Sequence, residues 1–163
     1  MRLSRLVAIV ALPLLTLSPL GVPVTVGDAA RGKAIYDGIG GCAACHRVHG
    51  NGSRAAPDLS DIGAVREASE IQRSILEPTM AMQPINRPVR IVTRDGRTIL
   101  GRRLNEDTYT VQLIDREERL ISLLKADISE LELGQTSEMP SYAGKLSDGE
   151  VADLVAYLLS LKE

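Results

Sequence analysis

The chain has 163 residues, enough for one domain or a small domain with an insertion and too few for a large multi-cofactor enzyme. Charged residues make up 25% of it and the net charge is -2, so no basic surplus points to a nucleic-acid partner. With four Tyr, no Phe and no Trp, its interior must be filled by something other than aromatic rings.

In chain order, Arg2 and Arg5 precede an apolar run from Leu6 to Leu17, the pattern of a secretory signal. Residues 1–27 are therefore expected to direct export, with cleavage between about Ser18 and Asp28. The competing expectation is a retained anchor, since the stretch to Val26 is roughly 20 residues, close to a membrane span. Pro13, Pro19, Gly21 and Pro23 suit a processed tail better. The segment has no Cys to carry a lipid and no double Arg, which favours export in an unfolded state.

Two cysteines in an exported chain first suggest a disulfide. Here they are Cys42 and Cys45, followed at once by His46. Cys42-Ala43-Ala44-Cys45-His46 is the pattern of c-type haem attachment: two thiols on one turn reach the two vinyl groups, and the adjacent imidazole meets the iron. Zinc would want four ligands at a closed site, and only His49 adds to the three of the motif. A thioredoxin-like redox pair would need a strand before and a helix after, whereas Gly38, Gly40 and Gly41 precede the motif and Gly50 and Gly52 follow it.

Beyond the motif, Ile71, Ile75 and Leu76 suggest a helix within Glu67 to Glu77 that Pro78 stops. From Pro88 to Gly134 the period changes to alternation. Val89 to Thr93 and Thr98 to Gly101 flank an Asp95-Gly96 turn, a strong hairpin signal. Further runs at Tyr109 to Ile114, Leu120 to Leu124 and Ile128 to Leu133 complete a small twisted sheet or partly closed barrel. Its charge is uneven: Arg87, Arg90, Arg94, Arg97, Arg102 and Arg103 face only Asp95, while Glu106 to Glu132 is mostly acidic, so a partner-steering patch and a set of solvated charges are both open. The last helix is predicted from about Asp148 to Leu161, with Ser147 and Glu150 as a capping box and Val151, Leu154, Val155, Leu158 and Leu161 at helical spacing.

On the haem motif and these helices, residues 28–87 and 135–163 resemble a class I cytochrome c, the small helical family with His and Met as axial ligands. The resemblance implies a first helix capped by Asp28 in which Gly32 and Tyr36 sit four apart, and a last helix whose Tyr157 crosses that Gly. It also implies that His46 and Met139 hold the iron, Met139 being followed by Pro140 and then by the last helix. Met80 and Met82 are the other thioethers available, and His49 is read as a surface residue because its short tether keeps it on the same side of the iron as His46. Pro57 matches the family position whose carbonyl takes the Nδ1 proton of the ligand His, a bond that would orient the ring. Arg54, Lys145 and Tyr142 are candidate partners for the haem propionates. Met139 lies 93 residues after His46, or 46 without residues 88–134, a compact spacing. A strand-rich segment with an Asp-Gly-Arg turn before Met-Pro also resembles cytochrome domains found beside bacterial periplasmic dehydrogenases.

The expected fold is thus mainly α: a class I cytochrome c domain, residues 28–163, with a β-rich insertion at 88–134. The expected function is a periplasmic electron carrier, not an enzyme, with one covalent haem c bound through Cys42, Cys45, His46, Met139 and Pro57. Its expected partners are redox proteins, a dehydrogenase donor and an oxidase or other cytochrome acceptor, with membrane contact only if the N-terminal segment is retained. The competing readings are a module docking to one dehydrogenase or oxidase complex through an inserted sheet that is dispensable for the haem spectrum, and a haem sensor or enzyme if Met139 is not a ligand.

Overall fold

The computed structural model describes residues 27–162. The export signal expected at 1–27 lies outside these residues except for Gly27. Helix α1 (Ala29–Asp37) starts where the Asp28 carboxylate accepts the Arg31 N–H, and it ends at Gly38. A 3-10 turn at Cys42–Ala44 leads to a small hairpin, β1 (Arg47–Val48) with β2 (Asn51–Gly52). Short helices α2 (Ile62–Val65), α3 (Ala68–Leu76) and α4 (Pro78–Ala81) follow. Glu67 and Glu70 form a capping box on α3, and Pro78 takes the first position of α4, where its missing N–H costs nothing.

Strands β3 (Pro88–Thr93), β4 (Thr98–Glu106), β5 (Thr110–Asp115), β6 (Leu120–Leu124) and β7 (Ile128–Leu133) then build one antiparallel sheet in the order β6-β5-β4-β3-β7. The last helix, α5 (Asp148–Ser160), is capped by Ser147 with Glu150 at the third position.

The helical half is organised by the crossing of α1 and α5. At Gly32 a Cβ would stand 2.0 Å from the Asp153 carbonyl oxygen, so only glycine lets the backbones meet. One turn on, the Tyr36 and Tyr157 rings pack edge to face, 5.5 Å apart at 62°. At the other end the buried Asp153 carboxylate accepts the Asp28 N–H at 2.7 Å and the Arg31 Nε at 2.6 Å. Ile35, Ile71, Ile75, Val151, Leu154 and Leu158 complete this core.

The sheet has a second core of its own, with Val89, Ile91, Val111 and Leu113 at its centre and Ile99, Ile121, Leu123 and Leu133 around them. Its edge strands β6 and β7 are joined by the three residues Lys125–Asp127. A flat sheet would hold those edges four strand spacings, about 19 Å, apart. A 3-10 turn advances only about 2 Å per residue, so the sheet must curl strongly at that end.

The expectation of a mainly α protein is overturned: the structure is 35% helical and 28% strand, with a five-stranded antiparallel sheet. Two physical reasons account for it. Helices α2 and α4 are only four residues each, because Gly- and Pro-rich segments of the helical half are held by turns. Meanwhile all five alternating runs join a single sheet large enough to enclose its own core, which makes the architecture α plus β. Among the described residues no helix is long and apolar enough to cross a membrane.

Candidate functional site

The haem motif is set by its glycines. Gly41 takes the left-handed conformation at the start of the Cys42–Ala44 turn, and the Cys45 and His46 N–H groups both donate to the Cys42 carbonyl. Cys42 is half-buried, Cys45 is exposed, and both thiols are free. Burial pushes the Cys42 thiol up from its ordinary value. The next turn closes on the motif: the Ser53 N–H donates to Ala43, the Ala56 N–H to Cys45 and the Leu59 N–H to Arg47. Gly52 sits so close beneath that a Cβ there would lie 2.3 Å from the His46 carbonyl oxygen. That same carbonyl accepts the Tyr36 hydroxyl at 3.0 Å, which ties the motif to α1.

The His46 ring faces a cavity between the two halves of the molecule. Its helical wall is largely apolar, built from Leu59, Ile62, Ile71, Ile75, Pro78 and Leu158. Met82 and Met139 line it too, and so does Pro57. Pro88, Gly101 and Arg102 bring the sheet to its edge. Counting its open mouth, the cavity holds about 1110 Å³ of empty space. His46 Nδ1 stands 2.7 Å from the Pro57 carbonyl oxygen, so Nδ1–H donates there and Nε2 keeps its lone pair. Burial lowers the basicity of the imidazole, the Pro57 bond works against this, and the Arg102 charge adds to the lowering.

These features fit a c-type haem. A neutral imidazole, thioether sulfurs and an apolar wall are the donor set and surroundings such a group uses, and two free thiols precede the imidazole. A cation at the site also lacks an anionic partner: Arg102 lines the cavity and has no carboxylate within ion-pair distance among the described residues. Among the described residues no three His, Cys, Asp or Glu side chains gather as a metal cluster, which leaves the zinc alternative without ligands.

The structure brings His46, Pro57 and Met139 to one cavity, together with Met82, and leaves Met80 exposed at 72%. Cys42 and Cys45 stand beside it in the chain without lining it. His49 is exposed and its N–H donates to the Ser60 hydroxyl. None of Arg54, Lys145 and Tyr142 lines the cavity. Arg54 pairs with Glu118, Lys145 lies over the Tyr142 ring, and the Tyr142 hydroxyl donates to the Gly40 carbonyl.

The sheet is not separate from the site: Pro88, Gly101 and Arg102 are part of its wall. The basic cluster is also largely compensated. Arg90 meets Glu130 and Glu132, Arg97 meets Asp95, Arg103 meets Glu106, and Arg94 donates to the Ala126 carbonyl. Arg102 was missed as a site residue because a charged side chain on a strand reads as solvated. The sequence signal was its place in the outward-facing row with Pro88, but the partner of that row is not local.

Residues 29–107 match the family model for cytochrome c. The match takes in α1, the haem motif, Pro57 and Met82 and ends within the sheet, before Met139 and α5. Residues 29–107 therefore carry a cytochrome c domain, which supports a haem-based electron carrier and implies covalently bound haem c. No curated protein matches the chain.

Proposed function

Proceeding from a cytochrome c domain, we propose that this protein is an exported, mono-haem carrier of single electrons, with haem attached to Cys42 and Cys45 and iron held between His46 and Met139. The observation that carries the reading is the shared cavity, lined by both His46 and Met139 and entered by the chain directly after the two free thiols. When bound, haem c supplies a one-electron iron couple whose potential follows axial ligand identity and burial.

The chain's own residues prepare that site. Pro57 holds His46 through Nδ1 and leaves Nε2 to coordinate, and burial favours the neutral form of the ring. Met139 is fixed at its N–H by the Ser137 hydroxyl, and Ser137 is tied in turn to Thr79. Farther along, Ser141 and Tyr142 bond the carbonyls of Leu76 and Ile75 at the end of α3. Met82 lines the same cavity at the end of α4, and the bond from the Met139 N–H to the Ser137 hydroxyl favours Met139 as the sixth ligand. Leu59, Ile62, Ile71 and Leu158 keep water from the site. Redox proteins, a dehydrogenase as donor and an oxidase or second cytochrome as acceptor, are the proposed partners. The basic start and apolar run of residues 1–17 support a periplasmic location.

The test is Met139→Ala beside Met82→Ala in the haem-loaded protein. Met139→Ala is expected to open the sixth position to carbon monoxide and lower the potential, while Met82→Ala leaves ligation unchanged. The reverse pattern makes Met82 the ligand. A native ferrous protein that binds carbon monoxide readily replaces the carrier with a sensor or enzyme. Haem that acid-acetone extracts from the native protein ends the c-type reading.

A further inference from the structure

We infer that Arg102, a residue of the inserted sheet, is a positioning residue for His46, so that the sheet sets the redox potential of the site. The inference rests on the haem reading above. It starts from the Ser53–Pro57 segment, which lies between the haem motif and the sheet. On the motif side, the Ser53 and Ala56 N–H groups donate to Ala43 and Cys45. On the sheet side, the Arg102 Nε donates to the Ala55 carbonyl at 3.2 Å, and its Nη2 to those of Arg54 at 3.1 Å and Ala56 at 3.3 Å. The next carbonyl in the chain is that of Pro57, 2.7 Å from His46 Nδ1. Arg102 is therefore one residue away from the bond that orients the imidazole.

A guanidinium is suited to this. Its planar fork presents several donors in fixed directions, whereas an ammonium is a point donor on a flexible stem. A second tie holds the segment in place, since Arg54 donates to the Glu118 carbonyl in the β5–β6 turn and meets its carboxylate at 3.5 Å. Arg102 also differs from the other arginines of the sheet in charge balance. Arg90, Arg97 and Arg103 each face a carboxylate, while half-buried Arg102 faces only carbonyl oxygens. Its charge is consequently little screened at the cavity it lines. Positive charge there disfavours the oxidised iron, which carries one more positive charge than the reduced form, and so raises the potential.

Two variants of the haem-loaded protein separate the parts. Arg102→Gln removes both charge and fork, and Arg102→Lys keeps the charge but loses the fork. We expect Arg102→Gln to shift the ferric–ferrous equilibrium about tenfold toward ferric, about 59 mV for one electron. Arg102→Lys should keep most of that potential. In both, the His46 Nδ1–H should exchange faster with solvent by NMR than in the native protein. Arg90→Gln, the same charge change at an arginine that meets Glu130 and Glu132 and does not line the cavity, should move neither reading. A native potential and native Nδ1–H exchange in Arg102→Gln would overturn the inference, as would an Arg90→Gln shift of equal size. If Arg102→Gln fails to fold, Arg102→Lys decides alone: faster Nδ1–H exchange upholds the inference and native exchange overturns it. Covalent haem in the native protein, with a native potential and native Nδ1–H exchange in Arg102→Gln, removes only this inference, whereas a native protein without covalent haem removes it together with the carrier reading.

Discussion

The sheet and the helical half close their hydrophobic cores in different ways. In the sheet, Ile91, Val111 and Leu113 are fully buried by one another and by the surrounding strands, so the side chains present suffice. In the helical half, α1 and α5 meet closely at Gly32, but Leu59, Ile62, Ile71, Ile75 and Leu158 border a cavity. The shortage of aromatic residues is felt only there, where a flat, apolar cofactor would take the place of Phe and Trp. The lesson is that stability in one half is intrinsic to its sequence, while in the other it depends on what packs into the cavity.

The sharpest way to break this contrast is to remove the covalent anchors. In Cys42→Ala/Cys45→Ala, most haem should be lost, and amide exchange should rise sharply in α1, α3 and α5 while Ile91, Val111 and Leu113 keep their protection. Equal loss of protection in both halves would show one cooperative unit. A smaller effect comes from the sheet side: Ile91→Ala is expected to destabilise the protein by about 2–5 kcal/mol, as for other fully buried aliphatic truncations. Denaturant titration followed by far-ultraviolet circular dichroism checks this, and a loss below about 1 kcal/mol would mean the site collapses freely.

The smallest effect is electrostatic. The Arg31 hydrogen bond, helped by the Asp28 N–H, holds the Asp153 carboxyl below its ordinary value. A depressed folded-state pKa stabilises the fold above the unfolded value and loses that contribution as pH falls through the folded one. Asp153→Asn should therefore lower the thermal midpoint at pH 7, and the gap to the native protein should narrow as the solution is acidified below about pH 4. A gap independent of pH would assign the role of Asp153 to packing.

Legibility in the sequence followed the range of the interactions. The Ser147–Glu150 box and the Asp95-Gly96 turn are local chemistry, and α5 begins at Asp148 and β3 turns into β4 where those residues direct. Helices α2 and α4 were invisible because four residues carry no period. The first exists because Gly63 packs on the Leu159 backbone, its N–H donating to the Leu161 carbonyl. Strand order was equally out of reach, since β7 returns past three strands to pair with β3. The weight of the sheet was underestimated for that reason. At the site, Cys42, Cys45 and His46 stood out by their spacing, whereas Arg102 bonds carbonyls 46 to 48 positions away, beyond any local pattern.

The way the sheet is spliced into the chain also bears on how the protein folds. Its first and last strands pair with each other, Val89 opposite Leu133, and the Gly134 N–H donates to the Pro88 carbonyl at 2.7 Å, so the inserted chain leaves where it entered. Tyr142 must find Ile75, 67 positions earlier, and 47 of those positions lie within residues 88–134. Once the sheet has formed, the search runs over an effective loop of about 20 residues, which lowers the closure entropy by about 1 kcal/mol. Early strand pairing thus speeds the docking of the Met139 segment onto α3, and a sheet slow to form would delay assembly of a site most of whose wall lies outside it.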